Sequence, residues 1–463
     1  MTETIEQKFR AVARAEASRL AVSDGQTSLS FAEVEKRADQ GARKLAEAGL
    51  LGWEPVVVPV SNIAADIPAF LAVWRAGGVV VPVHRSTPKA ALKILTDRLG
   101  SRFTLEGEVQ THSSTPPPER DLLREAGTII FTSGSTGEPK GVVLSATRAS
   151  AKLEMIQAMC GWGAGENALI GLQLTFSFGQ WATWLTLLNG GAVLLRGRFD
   201  VAEVAGMLDS GGTQRFPAVP TMLRHLLEQD GIRDFAGQIM AGGEPLPAAL
   251  GHRVRAAYPH AGLGDIYGLT ETGTCDFFVQ AAKYAKFAGT LGFAGDGIDW
   301  RIDDATKELE IRSPWQMLGY LDAPELTRAA MNGDRFRTGD LADVAPSGAV
   351  RLIGRSKDLI VRSGNKISPL EIEAAFLQSE HVTAALVTGA PDPERGEAIH
   401  LAIVLRVGRE ATAEVLRDQA ADHLERYKLP DHIHIVDELP AGSTGKADRG
   451  AFRRLIEANQ AQG

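Results

Sequence analysis

The fold is decided by one stretch, Thr128-Ile129-Ile130-Phe131-Thr132-Ser133-Gly134-Ser135-Thr136-Gly137-Glu138-Pro139-Lys140-Gly141. Its first four residues, β-branched and aromatic, predict a buried strand. The next ten contain three glycines, four hydroxyl side chains and one lysine. Glycines let backbone N–H groups converge on phosphate oxygens, while hydroxyls and a lysine add donors and charge. Residues 132 to 141 are therefore predicted to bind phosphate; the alternative is a surface loop rich in Ser, Thr and Gly.

The two best-known phosphate motifs do not describe this loop. Walker A requires Gly-Lys-Ser/Thr, whereas the loop ends in Pro139-Lys140-Gly141. Gly445-Lys446 resembles the end of that motif, but Pro440 and Ala447 replace its leading glycine and its hydroxyl. No Gly-x-Gly-x-x-Gly follows a predicted strand, so a Rossmann dinucleotide site is unsupported.

Around this loop the chain alternates strands and helices. Val56–Val60 and Val79–Val83 are continuous apolar runs separated by helix-like Ile67–Arg75, which predicts a βαβ unit with buried parallel strands. Ser30 and Glu33 form a capping box that starts a helix ending near Gly49. Further strands are predicted at 128–131, 192–195 and 309–311, and further helices at 150–160 and 202–208.

From Gly354 the pattern changes to short strands around two helices. Helices are predicted at 369–378 and 413–427, and strands at 382–387 and 398–404. We therefore predict an α/β fold with a large N-terminal domain, residues 1–353, and a smaller mobile α+β C-terminal domain, residues 354–463. Residues 107–120, poor in apolar side chains, are interpreted as a surface linker.

Composition excludes several classes of protein. The 463 residues are 44% hydrophobic and 23% charged, which supports a large core and excludes general disorder. The formal charge of -8 offers no overall attraction to nucleic acid or anionic lipid. Two cysteines, the absence of an apolar stretch in the first 22 residues and the interrupted run at 70–83 predict a soluble, cytoplasmic protein without membrane spans. His432 and His434 are predicted to be surface residues on one face of a strand.

Further segments complete a recognisable set. They are Gly242-Gly243-Glu244-Pro245, Ile266-Tyr267-Gly268-Leu269-Thr270-Glu271, Phe336-Arg337-Thr338-Gly339-Asp340-Leu341, Gly354-Arg355-Ser356-Lys357-Asp358 and residues 439 to 449, which contain Lys446 and Arg449. Together with the phosphate loop, and in this order, they resemble the signatures of the adenylate-forming superfamily. That superfamily includes acyl-CoA and aryl-CoA synthetases, the adenylation domains of peptide synthetases, and beetle luciferases.

The resemblance implies how ATP and Mg²⁺ are bound. Tyr267 would stack on adenine, Thr270 would contact the α-phosphate, and Glu271 would help to hold Mg²⁺. Asp340 would accept hydrogen bonds from both ribose hydroxyls, a task that suits a carboxylate, and Arg355 would also reach the ribose. The phosphate-binding residues would be Thr132, Ser133, Gly134, Ser135, Thr136, Gly137 and Lys140.

Other positions acquire roles through the same resemblance. Gly243 and Glu244 would line the adenine and acyl pockets. Lys357 would be the hinge on which the small domain turns, and Gly364 would line the tunnel for a thiol. Lys446 would bridge the substrate carboxylate and the α-phosphate. The departures from the family pattern, such as Ala146 where many members have His, remove no catalytic group.

The resemblance implies an AMP-forming acid–thiol ligase. Such an enzyme converts a carboxylic acid and ATP to acyl-AMP and pyrophosphate and then transfers the acyl group to the thiol of coenzyme A. The alternatives are an acyl-AMP ligase that loads a phosphopantetheine carrier protein, and a non-catalytic nucleotide-binding homologue.

The segment from Phe176 to Trp181 is interpreted as the acid-binding segment. Amino-acid-activating members carry an aspartate for the substrate ammonium group there, and Gly179 falls at that position. Since an uncompensated ammonium group in an apolar pocket is costly, we expect an aryl or acyl acid without an α-amino group. The predicted pocket residues are Phe178, Trp181 and Gly268, with Trp184 as a further aromatic wall; core packing is the alternative for the aromatic rings.

Overall fold

A computed structural model describes residues 2–132, 139–229, 233–440 and 447–460. The helices are α1 (Ile5–Ala15), α2 (Phe31–Glu47), α3 (Asp66–Arg75), α4 (Lys89–Leu99), α5 (Ala146–Cys160), α6 (Ser177–Leu188), α7 (Val201–Asp209), α8 (Pro220–Leu226), α9 (Ala248–Ala257), α10 (Tyr284–Phe287), α11 (Pro324–Ala329), α12 (Pro369–Phe376), α13 (Ala413–Ala421) and α14 (Arg449–Gln460).

Strands form four sheets in the described ranges. They are β1 (Leu20–Ser23), β2 (Ser28–Ser30), β3 (Pro55–Val60), β4 (Val79–His84), β5 (Phe103–Glu106), β6 (Glu108–Thr111), β7 (Ala126–Thr132), β8 (Lys140–Ser145), β9 (Ala168–Ile170), β10 (Val193–Leu195), β11 (Arg215–Ala218), β12 (Gln238–Gly242), β13 (Gly262–Tyr267), β14 (Phe277–Val279), β15 (Phe293–Ala294), β16 (Asp299–Ile302), β17 (Glu308–Arg312), β18 (Gly319–Tyr320), β19 (Met331–Asn332), β20 (Arg335–Val344), β21 (Val350–Arg355), β22 (Ile360–Arg362), β23 (Asn365–Ile367), β24 (Val382–Asp392), β25 (Gly396–Leu405) and β26 (His432–Ile435).

The predicted βαβ unit forms the centre of a seven-stranded sheet, whose order is β18-β8-β7-β4-β3-β5-β6. β3 and β4 pair in parallel with Val56 opposite Val80, and Val56–Val58 and Val79–Val81 are buried. Such double-sided burial explains the continuous apolar runs. Helix α2 begins at the predicted capping box, in which Ser30 accepts a hydrogen bond from the Glu33 amide.

The interpretation of residues 107–120 as a linker is wrong in part. Glu108–Thr111 forms β6, which pairs antiparallel with β5 at the edge of this sheet. Because an edge strand with one solvent-facing side can be polar, its composition resembles that of a loop. The residues from 112 to 120 are irregular, as predicted.

Two further sheets complete the large N-terminal part. The nine-stranded sheet has the order β15-β14-β13-β12-β11-β9-β10-β1-β2, and its central strands are parallel. β12 and β13 therefore end at the same edge, where ligands bind in open α/β sheets. An antiparallel sheet of β16, β17, β19, β20 and β21 follows in sequence.

The C-terminal part has its own core. Buried apolar residues from Ile360 to Leu424 form a cluster separate from the one that ends at Val350. The predicted helix 413–427 is too long, since α13 ends at Ala421 and a 3₁₀ turn, Arg426–Lys428, follows. The predicted fold class, a large α/β part followed by a smaller α+β part, is confirmed.

The junction between the two cores lies close to the predicted boundary, which stays a prediction. Strand β21 crosses it, because Gly354 and Arg355 still pair with Leu341 and Asp340 of β20. A 3₁₀ turn, Ser356–Asp358, comes next and precedes the first residue of the second core. Among the described residues, no helix combines the length and apolar character that crossing a membrane requires.

Candidate functional site

The turn that follows β13 has a fixed backbone. A Cβ atom at Gly268 would lie 2.2 Å from the backbone nitrogen of Cys275, so only glycine fits there. The Asp276 amide donates to the Tyr267 carbonyl at 2.7 Å, and the Thr274 amide donates to the Leu269 carbonyl at 2.8 Å. These bonds hold Thr270 and Glu271 on a closed loop at the end of a buried strand.

A buried ion pair supports this turn from inside. Lys152 Nζ lies 2.9 Å from Asp276 Oδ1, and the two side chains are 2% and 0% exposed. Thr272 Oγ1 donates to the other carboxylate oxygen. Burial raises the pKa of Asp276, and the Lys152 charge opposes that rise. Sequence reasoning missed this pair, because its members are far apart in sequence and belong to no local motif.

Three predicted nucleotide-binding residues meet in a second cluster. The Tyr267 hydroxyl donates to Asp340 Oδ2 at 2.7 Å, and Arg355 Nε donates to Asp340 Oδ1 at 2.8 Å. The β20–β21 register places Asp340 directly opposite Arg355. The pKa of Tyr267 is held well above its usual range by burial and by the Asp340 charge. Each carboxylate oxygen retains a second lone pair with which it can accept a ribose hydroxyl.

Glu271 and Lys140 lie around Tyr320, a residue that sequence reasoning missed. The Tyr320 hydroxyl donates to Glu271 Oε1 at 3.0 Å, and Lys140 Nζ lies 5.5 Å from the centroid of the Tyr320 ring. Burial and the Glu271 charge raise the pKa of Tyr320 above its ordinary value, which keeps the hydroxyl protonated as a donor. The Ser177 hydroxyl lies 3.2 Å from that of Thr270. Tyr320 belongs to no motif that can be identified from its neighbours in the sequence.

The donor set at Glu271 fits Mg²⁺. Tyr320 occupies one carboxylate oxygen, and the other is a hard oxygen ligand on the loop next to Thr270. Mg²⁺ is usually held by one or two carboxylates, water and the phosphates of a substrate. In the ranges that the structure describes, no group of three or more His, Cys, Asp or Glu residues is placed to hold a metal ion.

The phosphate loop is described only at its ends. Thr132 ends β7 and Lys140 begins β8, and the two residues pair directly across the antiparallel strands. The predicted phosphate-binding residues Ser133, Gly134, Ser135, Thr136 and Gly137 lie outside the described residues. Their roles stay predictions.

Gly243 and Glu244 lie where β12 ends. Gly243 has φ of +80°, a conformation that favours glycine. Thr221 Oγ1 lies 3.5 Å from Glu244 Oε2. Burial lowers the pKa of Arg224, and the Glu244 charge opposes that shift. Glu244 Oε1 is buried without a hydrogen-bond partner in the described part of the chain. Gly243 and Glu244 therefore lie at the edge of the sheet where β13 also ends, next to Tyr267.

The predicted acid pocket separates into two places. The rings of Phe178 and Trp181 stack with centroids 5.2 Å apart, and Phe178 packs against Gly242. Gly268 instead packs on the Cys275 backbone. At Gly179 a Cβ atom would lie 2.5 Å from the Gln173 carbonyl oxygen, so packing alone excludes a side chain there. The absence of an aspartate at position 179 therefore says nothing about the substrate.

Two of the predicted C-terminal residues, Lys357 and Gly364, lie on exposed turns. Lys357 is exposed in the turn Ser356–Asp358, and Gly364 is at the exposed tip of the β22–β23 hairpin, with φ of +81°. Lys446 lies outside the described residues. Shortly after it, Arg449 pairs with Glu373 and donates to the Val387 carbonyl, which fixes the start of α14.

Two family models match the chain. The model of AMP-binding enzymes matches residues 9–123 and 93–321, and the model of the C-terminal domain of AMP-binding enzymes matches residues 371–446. The chain is 27% identical to a feruloyl-CoA synthase of Amycolatopsis sp., covering 94% of this chain and 95% of that protein. It is 28% identical to a 2-succinylbenzoate–CoA ligase of Bacillus pumilus (91% and 92% covered). A fatty acid–[acyl-carrier-protein] ligase of Streptomyces coeruleorubidus is 27% identical (93% and 92% covered).

Solved structures show the same fold. The anthranilate CoA ligase AuaEII in complex with anthranoyl-AMP superposes with a TM-score of 0.89 at 19% identity, covering 99% of this chain and 98% of that one. The amide bond synthetase McbA from Marinactinospora thermotolerans superposes with a TM-score of 0.85 at 23% identity, covering 98% and 100%.

Proposed function

Because the chain belongs to the family of AMP-binding enzymes, we propose that it is an ATP-dependent acid–thiol ligase. It converts a carboxylic acid to acyl-AMP with release of pyrophosphate and then transfers the acyl group to the thiol of coenzyme A. The names of the relatives, a feruloyl-CoA synthase and a 2-succinylbenzoate–CoA ligase, support this reaction class.

One observation carries the proposal. Asp340, the ribose-binding candidate, and Glu271, the metal-binding candidate, come from separate segments of sequence. Tyr267 joins them, because its hydroxyl donates to Asp340 and Glu271 lies on the turn that follows it. A nucleoside held at that hydrogen bond therefore has its phosphates beside Thr270 and Glu271. That arrangement suits a reaction at the α-phosphate.

In the first step an oxygen of the acid attacks the α-phosphorus, the bond to the bridging oxygen breaks, and pyrophosphate leaves with the electron pair. Thr270, Thr132 and Lys140 would donate to the phosphate oxygens, on which negative charge accumulates. Lys446 would bridge the acid and the α-phosphate. Mg²⁺ bound at Glu271 would supply positive charge beside the phosphates. No side-chain nucleophile is required, so catalysis would be electrostatic and positional.

In the second step the thiol sulfur loses its proton to solvent and attacks the acyl carbon, the bond from that carbon to the phosphate oxygen breaks, and AMP leaves with the electron pair. The small domain would turn about Lys357 to withdraw Lys446 and to bring Gly364 beside the thiol. An exposed position suits a hinge, because its backbone torsions can change while the side chain stays in water. The positive φ of Gly364 provides a tip without a side chain.

The acceptor has two candidates of the same chemistry. Coenzyme A is favoured because CoA ligases predominate among the similar relatives. The similarity to an acyl-carrier-protein ligase keeps a phosphopantetheine carrier as the alternative. A non-catalytic homologue is disfavoured, since such a protein would not need Thr270, Glu271, Asp340, Arg355 and Lys446 together. Residence in the cytoplasm stays a prediction.

The test is a panel of aryl, short-chain and long-chain acids with ATP and Mg²⁺. We expect acid-dependent exchange of labelled pyrophosphate into ATP and trapping of the acyl-AMP as a hydroxamate. The best acid is then offered with free coenzyme A or with a carrier protein, and thioester formation is measured. Binding of ATP without exchange for any acid would favour the non-catalytic alternative.

A further inference from the structure

A cavity of about 230 Å³ lies between helices α5 and α6 and reaches the candidate site. Along α5 it is lined by Ala149, Leu153 and Ile156, and along α6 by Ser177 and other residues of one face. At the end near the site, the Ser177 hydroxyl lies 3.2 Å from that of Thr270. The cavity therefore runs from the reaction centre into the protein interior.

Its dimensions limit what it can hold. From Ser177 to Trp184 the helix advances about 10 Å, at roughly 1.5 Å per residue. An apolar cavity of roughly 150 Å³ takes up one benzene molecule. The present cavity is larger, so it accommodates one six-membered ring with a short chain or substituent. A long alkyl chain would exceed it.

Hydrogen-bond donors in the lining lack acceptors. The indole N–H groups of Trp181 and Trp184 are buried and have no partner among the described residues, and the two side chains are 4% and 2% exposed. Lys152 also lines the cavity, and Asp276 accepts one of the three hydrogen bonds that its ammonium group can donate. Glu6, an acidic lining residue, is already bound to two arginines. Buried donors without acceptors are uncommon in folded proteins, and these donors are available to a bound molecule that carries an acceptor.

We propose that this cavity binds the body of the acid substrate: one ring that carries an oxygen acceptor at the end remote from the carboxylate. Trp181, Trp184 and Lys152 would select for that oxygen, while the carboxylate remains beside Thr270. The inference rests on the proposed function, because it places the reacting carboxylate at the nucleotide site. Trp181 lines this cavity, whereas Phe178 and Gly268, the other two predicted pocket residues, do not.

The experiment compares two acids of nearly equal shape, 4-methoxycinnamate and 4-ethylcinnamate. Variants Ala149→Leu, which fills the cavity, and Trp184→Phe, which removes an indole donor, are compared with Ala158→Leu, an exposed control on the same helix. KM and kcat come from pyrophosphate exchange. Acid binding is followed separately by quenching of tryptophan fluorescence, and ATP binding is measured as a check on folding.

We expect a kcat/KM at least tenfold higher for the methoxy acid in the parent protein. Ala149→Leu should raise KM for both acids at least tenfold without changing ATP affinity, and Trp184→Phe should reduce the methoxy preference. Ala158→Leu should behave as the parent. Exchange that Ala149→Leu leaves unchanged would overturn the inference, as would an equal preference for both acids. Acid binding that Ala149→Leu abolishes, with no exchange in the parent, would retain the cavity assignment while refuting the proposed ligase.

Discussion

The turn after β13 and the junction after β21 differ in how firmly they are held. The first, residues 267–276, rests on a buried ion pair and on a glycine that tolerates no side chain. The second, residues 356–367, has an exposed hinge candidate in Lys357 and an exposed tip at Gly364 with open space around it. Groups that stabilise developing charge act best when they are fixed in advance, whereas a pivot must change its torsions. Each region thus has the rigidity that its proposed role requires.

The largest effect should come from removing the support of the rigid turn. Lys152→Met leaves the buried Asp276 carboxylate without its cation, which should cost roughly 3 to 5 kcal/mol of the free energy of unfolding. Urea denaturation measures it, and Lys93→Met is the matched control. Lys93 pairs with Asp97 at 2.8 Å on the surface, with side chains 74% and 65% exposed, so its loss should cost less than about 0.5 kcal/mol. Equal losses in the two variants would show that the buried pair does not brace the turn.

The second-largest effect should come from removing Lys446, the positive charge that the small domain would bring to the α-phosphate. One positive charge about 4 Å from an oxyanion contributes about 4 kcal/mol at an effective dielectric constant near 20, or about a thousandfold in rate. Lys446→Ala should therefore lower pyrophosphate exchange about a thousandfold and leave thioester formation from supplied acyl-AMP largely intact. The exposed Lys283→Ala serves as control. Equal loss in both half-reactions would contradict the division of labour between the domains.

The small domain should also lose stability in acid because one of its histidines is buried. Its buried His400 stacks on His432 and forms a hydrogen bond with His434 at 3.1 Å. Of the two histidines predicted to lie on the surface, His432 is exposed and His434 is partly buried. Burial, followed by the neighbouring histidines, lowers the pKa of His400 to about 4, although Asp431 opposes the shift.

The unfolded chain binds a proton at His400 more readily than the folded chain does. The stability that depends on neutral His400 is therefore complete above about pH 6.5 and is lost as the pH falls towards 4. It amounts to at most about 3 kcal/mol. His400→Gln should flatten the stability of the small domain between pH 6.5 and 4, as measured by urea unfolding with hydrogen exchange. An unchanged slope would exclude His400 as the source.

The smallest predicted effect concerns the hydrogen bond to Glu271. Tyr320→Phe removes a hydroxyl donor from a carboxylate, and bonds to charged groups contribute about 1.5 to 3 kcal/mol. Because Mg²⁺ can partly replace the donor, we expect the low end, about a tenfold loss in the rate of exchange and a raised Mg²⁺ requirement. Titration of activity against Mg²⁺ measures it. An unchanged Mg²⁺ dependence would show that Tyr320 does not orient Glu271.

Sequence reasoning predicted what local patterns encode. The capping box at Ser30, the parallel strands β3 and β4 and the family membership follow from short, contiguous signals. Residues 108–111 were misinterpreted as a linker because an exposed edge strand lacks an apolar face. Helix 413–427 was predicted too long, because helical spacing does not distinguish α13 from the 3₁₀ turn that follows it.

The missed residues act across long separations. Lys152 and Asp276 meet only when α5 packs under the turn after β13, and Tyr320 reaches Glu271 because β18 pairs with β8. The argument from Gly179 loses its force for a related reason, since the Gln173 carbonyl excludes a side chain there; the expectation of an acid without an α-amino group stays a prediction. Such contacts depend on tertiary packing that no short motif records.

The central claim is that an acid oxygen attacks the α-phosphorus of ATP at the rigid turn. The most direct test uses an acid whose carboxylate is labelled with ¹⁸O, together with ATP and coenzyme A. The account predicts AMP that carries one ¹⁸O, with unlabelled pyrophosphate. Formation of ADP, or label in the released phosphate instead of AMP, would contradict it.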